Sequence, residues 1–146
     1  SLLEHGLLIQ AKLADAIQGG KIEVWFQPQV RTERDAEGRH RLVGIEALAR
    51  WHDNDLGWIS PATFIPMAES LGLIADLGQR VTTLALAQFQ RWHARRPELH
   101  LSLNISKRQL FAPDFVSNLI QEAERHDLPT SAIVLEITES VALLEA

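Results

Sequence analysis

The chain has 146 residues, a formal charge of −5, and 46% apolar against 23% charged residues, a balance that gives one ordinary domain with a real core and sets aside a disordered chain. The negative charge argues against a broad DNA- or RNA-polymer-binding face, while leaving room for a small anion held by a few local arginines. Cysteine is absent, which removes a disulfide framework and any thiolate zinc site, so a bound metal must be held by oxygen or imidazole.

Residues 2–18 carry Leu, Ile and Ala at helical spacing and stop at Gly19-Gly20, which predicts a helix. This start, "SLLEHGLLIQAKLADAIQGG", is acidic and amphipathic rather than a signal peptide. No apolar run approaches the roughly 20 residues of a bilayer span, so the expectation is a soluble, cytoplasmic chain whose parent is free to be membrane-tethered. "KIEVWFQPQV" reads as a strand, "RTERDAEGRHR" is polar and charged, and "LVGIEALARW" resumes the strand pattern. The pair is expected to form an antiparallel hairpin with a long loop, a variable surface feature. In "ISPATFIPMAESLG", Ser60 is an N-cap, Pro61 takes the first helical position and Gly72 follows the helix. A second helix runs from about Leu73 to Arg96, with Ile74, Leu77, Val81, Leu84, Ala85, Phe89 and Trp92 on one face. "ELHLSLNIS" is then a strand, "APDFVSNLIQEAERHDL" a helix and "SAIVLEITE" a strand.

After the hairpin, strands and helices alternate, which implies parallel strands with helices outside and an α/β fold. Parity sharpens this expectation. Val43 and Ile45, Leu101 and Leu103, Ile133 and Leu135 point one way, towards helices; Gly44 and Glu46, Ser102 and Asn104, Val134 and Glu136 point to a shared interior. In a barrel that interior opens at the C-terminal ends of the strands, where active sites of this architecture lie. Four strands cannot close a barrel that usually takes about 250 residues. The expectation is therefore a partial TIM-like (β/α) barrel with about four of eight strands, residues 1–146 being the N-terminal portion of one domain, with no internal repeat or linker.

Two carboxylates, Glu46 and Glu136, and the amide of Asn104 at one rim suit a hard divalent cation such as Mg²⁺, Mn²⁺ or Ca²⁺. The six histidines form no HExxH or comparable pair, which weakens a zinc hydrolase. Arg50 lies four residues after Glu46, in reach of a substrate phosphate, and Gln27 is an inward candidate for a base edge. A carboxylate-held metal beside an arginine fits phosphodiester hydrolysis. Each residue also has a plainer role: Glu46 as a paired structural glutamate, Asn104 as the cap of a turn near Ser106, Glu136 as a core carboxylate, Glu139 as a first-turn acid, Arg50 as a solvated or salt-bridged side chain, Gln27 as a loop residue before Pro28, and Trp25, Trp51, Trp58 and Trp92 as packing groups. Recurrence on three strands favours the site.

"EALARW" resembles the signature of the EAL domain family, bacterial phosphodiesterases acting on cyclic di-GMP, and "WFQPQV", "FIPMAE", "LSLNIS" and "LEITES" resemble its other blocks, in order, over about residues 22–140. The resemblance implies a TIM-like barrel whose first strand is antiparallel, with Glu46, Asn104 and Glu136 as metal ligands. It implies that Glu139 steadies a catalytic loop, Arg50 contacts the substrate phosphate and Gln27 contacts substrate. The implied reaction is Mg²⁺- or Mn²⁺-dependent cleavage to linear pGpG, with Ca²⁺ binding without turnover. The family's DDFG block, a later lysine, and a further glutamate and glutamine belong to segments beyond residue 140, so this chain alone is expected to be inactive or nearly so. The alternatives left open are a non-catalytic cyclic di-GMP receptor and a scaffold whose open sheet edge pairs with another chain. A homodimer, and an upstream sensory or GGDEF domain in the parent, are compatible with all three.

Overall fold

The computed structural model describes residues 1–138. Helix α1 (Leu2–Gln18) starts in a capping box, in which Ser1 accepts the Glu4 backbone N–H and the Glu4 side chain returns to Ser1, and it ends at Gly19. Strands β1 (Ile22–Arg34) and β2 (His40–Asp53) follow, then a short β3 (Gly57–Ile59). Helix α2 (Pro61–Ser70) is capped as its sequence predicts, with Ser60 Oγ accepting the Ala62 N–H at 3.2 Å. Helix α3 (Ile74–Arg95), strand β4 (His100–Ser106), a single turn α4 (Lys107–Leu110), helix α5 (Phe115–Arg125), a 3-10 turn (Thr130–Ala132) and strand β5 (Ile133–Thr138) complete the order.

The strands form one sheet in the order β1-β2-β4-β5. β1 runs antiparallel to β2, while β2–β4 and β4–β5 are parallel pairs joined through helices, so the expected partial barrel wall with an antiparallel first strand is present. The register pairs Ile45 with Leu101, Ala47 with Leu103, and Leu103 with Leu135. The outer face so formed packs against Ala85, Leu86 and Phe89 of α3 and Ala123 of α5. A second cluster on the same face gathers Ile9, Leu13 and Ile17 of α1, Phe64 and Ala68 of α2, and Leu77 of α3 around Trp51. Trp51 and Phe64 meet edge to face at 5.8 Å. Helices therefore cover one face of the sheet and leave the Glu46 face to the site.

Two expectations need correction. The hairpin loop is short: β1 continues to Arg34 and β2 begins at His40, so only residues 35–39 turn. The Asp35 carboxylate accepts the N–H groups of Glu37 at 3.0 Å and Arg39 at 2.8 Å, Arg34 donates to the Gly38 carbonyl at 2.8 Å, and Gly38 takes a φ of 78°. Both faces of this ribbon meet solvent, so it carries no alternation of apolar and polar residues by which a sequence reveals a strand. Irregularities between Gln29 and Val30, and between Val30 and Arg34, give it bulges. The second correction is β3, which pairs Trp51 with Ile59 and Gly57 with Asp53 and was not anticipated.

Lys12 of α1 ties the β2–β3 turn to the first helix, donating to Asp53 Oδ2 and Asp55 Oδ2 at 3.0 Å each. The Lys12 hydrogen bond, helped by N–H groups of Asp55 and Leu56, holds the Asp53 carboxyl below its ordinary 3.8, against a partial desolvation that opposes it. A carboxylate lowered on folding contributes stability that is present above its ordinary pKa and lost as pH falls through the lowered value. Thermal melts of the native chain and Asp53→Asn should therefore differ at pH 7 and converge as the pH falls below the ordinary aspartate range. A pH-independent gap would remove the ion pair as its source. Among the described residues no helix is long and apolar enough to cross a membrane.

Candidate active site

On the uncovered face, Asn104 of β4 and Glu136 of β5 are register partners. Glu46 of β2 is level with Ser102, two residues below Asn104. The offset is bridged by the Asn104 side chain, whose Nδ2 donates to Glu46 Oε2 at 3.0 Å. Three neighbouring strands thus set two carboxylates and an amide in one row, as parity predicts. Asn104 is not the cap of the following turn: Ser106 takes that place in a capping box with Gln109. Gln27 is the register partner of Glu46 on β1, so its side chain shares the same face. Glu139 lies outside the described residues.

Glu46 and Glu136 are each half-buried, and neither has an ion-pair partner among the described residues. A carboxylate taken partly out of water without a cationic partner is costly unless a cation or a proton offsets it. Among the described residues no three or more His, Cys, Asp or Glu side chains gather as a metal cluster, so the donor set here is the two carboxylates and the amide. Because Asn104 gives its Nδ2 to Glu46, its oxygen, the atom a hard cation takes, is left without a protein partner among the described residues. The residues fit a divalent cation with oxygen coordination; the remaining positions would fall to water, substrate or other groups.

Arg50 stands four residues beyond Glu46 on the same face, about 13 Å along the strand. It is half-buried and among the described residues uses one donor, Nη1 to the Ala49 carbonyl at 2.9 Å. No described carboxylate forms an ion pair with it. Glu23 is its register partner on β1, but the guanidinium lies instead over the Trp25 ring, 5.9 Å from the centroid. Trp25 meets Trp58 edge to face at 5.4 Å, and Trp58 meets His52 at 4.9 Å. The expectation of four packing tryptophans therefore holds for Trp51, which is fully buried, and for Trp92, which packs on the core and meets Phe26 edge to face at 5.0 Å, while Trp25 and Trp58 are 51% and 56% exposed. The available signal was parity: Trp25 sits two residues before Gln27, hence on the site face.

A cavity of about 350 Å³ opens beside this row, between α2, α3 and the ends of β2 and β4, with Arg50 and Asn104 on its wall among Pro61, Ile65, Leu77 and Val81. Its lining is largely apolar, and Glu46, Glu136 and Gln27 are not part of it. Below the row, Ser102 Oγ donates to Gln29 Oε1 at 3.3 Å. A Cβ on Gly44 would come within 2.8 Å of that Gln29 oxygen and 3.0 Å of the His100 carbonyl. Gly44→Ala should therefore push β2 from β4 and cost about 1–3 kcal/mol, readable by chemical denaturation. A variant as stable as the parent would show that the two strands tolerate the separation.

The EAL domain profile matches residues 10–146, and the chain belongs to the EAL domain family. The cyclic di-GMP phosphodiesterase PA2567 of Pseudomonas aeruginosa is 39% identical over 106 residues, which are 73% of this chain and 18% of that protein. MucR of the same organism, a bifunctional diguanylate cyclase/cyclic di-GMP phosphodiesterase, is 30% identical over 135 residues, 92% of this chain and 19% of that protein. The chain thus spans about a fifth of the length of these curated relatives. The solved structure of the PaMucR phosphodiesterase with c-di-GMP superposes with a TM-score of 0.80 at 28% identity, over 94% of this chain and 58% of that one.

Proposed function

We propose that this unit is the N-terminal portion of an EAL domain that, in the intact protein, hydrolyses one phosphodiester bond of cyclic di-GMP to give linear pGpG. One observation carries the reading: on a single sheet face, two half-buried carboxylates without a cationic partner among the described residues share the row with a half-buried arginine that has no anionic partner among them and stands about 13 Å beyond Glu46 along its strand. A substrate phosphate and a divalent cation together would complete both. The names of PA2567 and MucR support the substrate class.

In this reading Glu46, Glu136 and the Asn104 oxygen hold Mg²⁺ or Mn²⁺. When bound there, the cation supplies Lewis-acid polarisation of the phosphodiester and lowers the pKa of a water. Asn104 fixes the Glu46 carboxylate through its Nδ2 and so orients that ligand before metal arrives. Arg50, with one donor used among the described residues, binds the non-bridging phosphate oxygens and fixes the phosphorus relative to the carboxylate row. Gln27 offers donor and acceptor to a guanine edge or ribose from the opposite strand, and Glu139 steadies a loop contributed by the rest of the domain. Hydrolysis adds one water across a P–O bond, leaving a 5′-phosphate on one nucleotide and a hydroxyl on the other. The parent acts in the cytoplasm, where a sensory or diguanylate cyclase neighbour, as MucR's name supports, would set its activity.

Incubating the intact protein with cyclic di-GMP and Mg²⁺ or Mn²⁺, then separating products by chromatography, tests this. Linear pGpG that disappears with a chelator, and does not form with Ca²⁺, is the expected result. Tight binding without cleavage would make the protein a receptor, and absence of both would overturn the reading.

A further inference from the structure

We propose that Trp25 is a positioning residue for Arg50: its indole face fixes the guanidinium at the rim without neutralising the charge that the substrate phosphate needs. The inference rests on the phosphate-binding role of Arg50 given above. A strand arginine opposite a glutamate ordinarily pairs with it, and Glu23 stands in that position. Arg50 makes no ion pair with Glu23; it lies diagonally over Trp25, with Cζ 5.9 Å from the ring centroid, and anchors one nitrogen on the Ala49 carbonyl. The two kinds of partner differ in their consequence. A carboxylate would hold the side chain by occupying its donors and cancelling its charge, whereas an aromatic face attracts the cation through its quadrupole and leaves the in-plane N–H groups directed outward.

Trp25 is itself held in place. Trp58 of β3 meets its ring edge to face at 5.4 Å with planes at 80°, and His52, the register partner of Trp58, meets Trp58 in turn at 4.9 Å. Paired strand positions share a face, so Trp25, Arg50, His52 and Trp58 lie on the face of Glu46 and Gln27. This gives the three-residue strand β3 a purpose: it brings Trp58 against Trp25 beyond the end of the row. It also accounts for two large indoles left 51% and 56% exposed on a domain whose helices cover only the other face.

The test compares KM and kcat for cyclic di-GMP in the intact protein, with the dissociation constant for cyclic di-GMP as a second readout. The variants are Trp25→Ala, Trp25→Phe, Arg50→Ala and the double variant Trp25→Ala/Arg50→Ala. Trp25→Ala is expected to raise KM about fivefold with kcat less affected, and Trp25→Phe to restore most of that loss. In the Arg50→Ala background, Trp25→Ala should add nothing, because the ring acts through the arginine. Additive effects, or an unchanged KM in Trp25→Ala while Arg50→Ala weakens binding, would overturn the positioning role and leave the Arg50 reading standing. An Arg50→Ala variant with native KM and kcat would overturn both. Trp58→Ala keeps Trp25 and removes only its support, so it guards against misfolding of the first variant. A smaller rise in KM, absent in the Arg50→Ala background, is the expected result, and a rise that persists there counts against the proposal.

Discussion

Glu46→Gln in the intact protein should lower the rate of cyclic di-GMP hydrolysis by about a thousandfold or more while leaving the fold in place. The substitution keeps the side-chain length and an oxygen able to accept the Asn104 Nδ2 hydrogen bond now made at 3.0 Å. What it removes is one negative charge from a row whose two carboxylates lack a cationic partner among the described residues. Loss of activity at an unchanged melting temperature would therefore report on the charge that holds the cation, not on packing. Initial rates at saturating Mn²⁺ and a thermal melt on the same preparation check it. Turnover within tenfold of the parent would remove Glu46 from the mechanism.

The largest stability effect is expected at Phe89. Its side chain is fully buried in the cluster that joins α3 to the outer face of β2 and β4. Phe89→Ala deletes a fully buried ring from the cluster it shares with Leu86, Leu101 and Leu103 and should cost about 3–5 kcal/mol. Strands β2 and β4 carry Glu46 and Asn104 on their opposite face, so the same change should loosen the hydrogen bond between them. Chemical denaturation measures the first effect. A loss under about 1 kcal/mol would mean that the cluster repacks and that α3 is not what holds the wall.

What the sequence discloses about this fold follows from how the core is built. Ile45, Leu101, Leu103, Ile133 and Leu135 alternate with smaller or polar groups because one face meets helices, and that alternation revealed both the strands and the side on which Glu46, Asn104 and Glu136 lie. Ser60 and Pro61 marked the start of α2 because each has a specific reason to sit at a helix N-terminus. The outer part of the β1–β2 ribbon was read as loop because neither of its faces is buried. β3 and α4 are three and four residues long, too short for any period to show. Within the site, residue types and parity revealed the row itself. The hydrogen bond from Asn104 to Glu46 and the choice of Trp25 over Glu23 by Arg50 depend on strand register and side-chain direction, which pairwise spacing along one strand does not contain.

The most direct test of the central claim, that Glu46, Asn104 and Glu136 together hold a divalent cation, is a titration of Mn²⁺ into the intact protein and its Glu136→Gln variant. Free Mn²⁺ would be followed by its electron paramagnetic resonance signal. The native protein should show a site whose affinity falls at least about tenfold in the variant, with hydrolysis falling in step. Equal Mn²⁺ affinity in the two proteins would contradict it and return Glu136 to the status of a structural carboxylate.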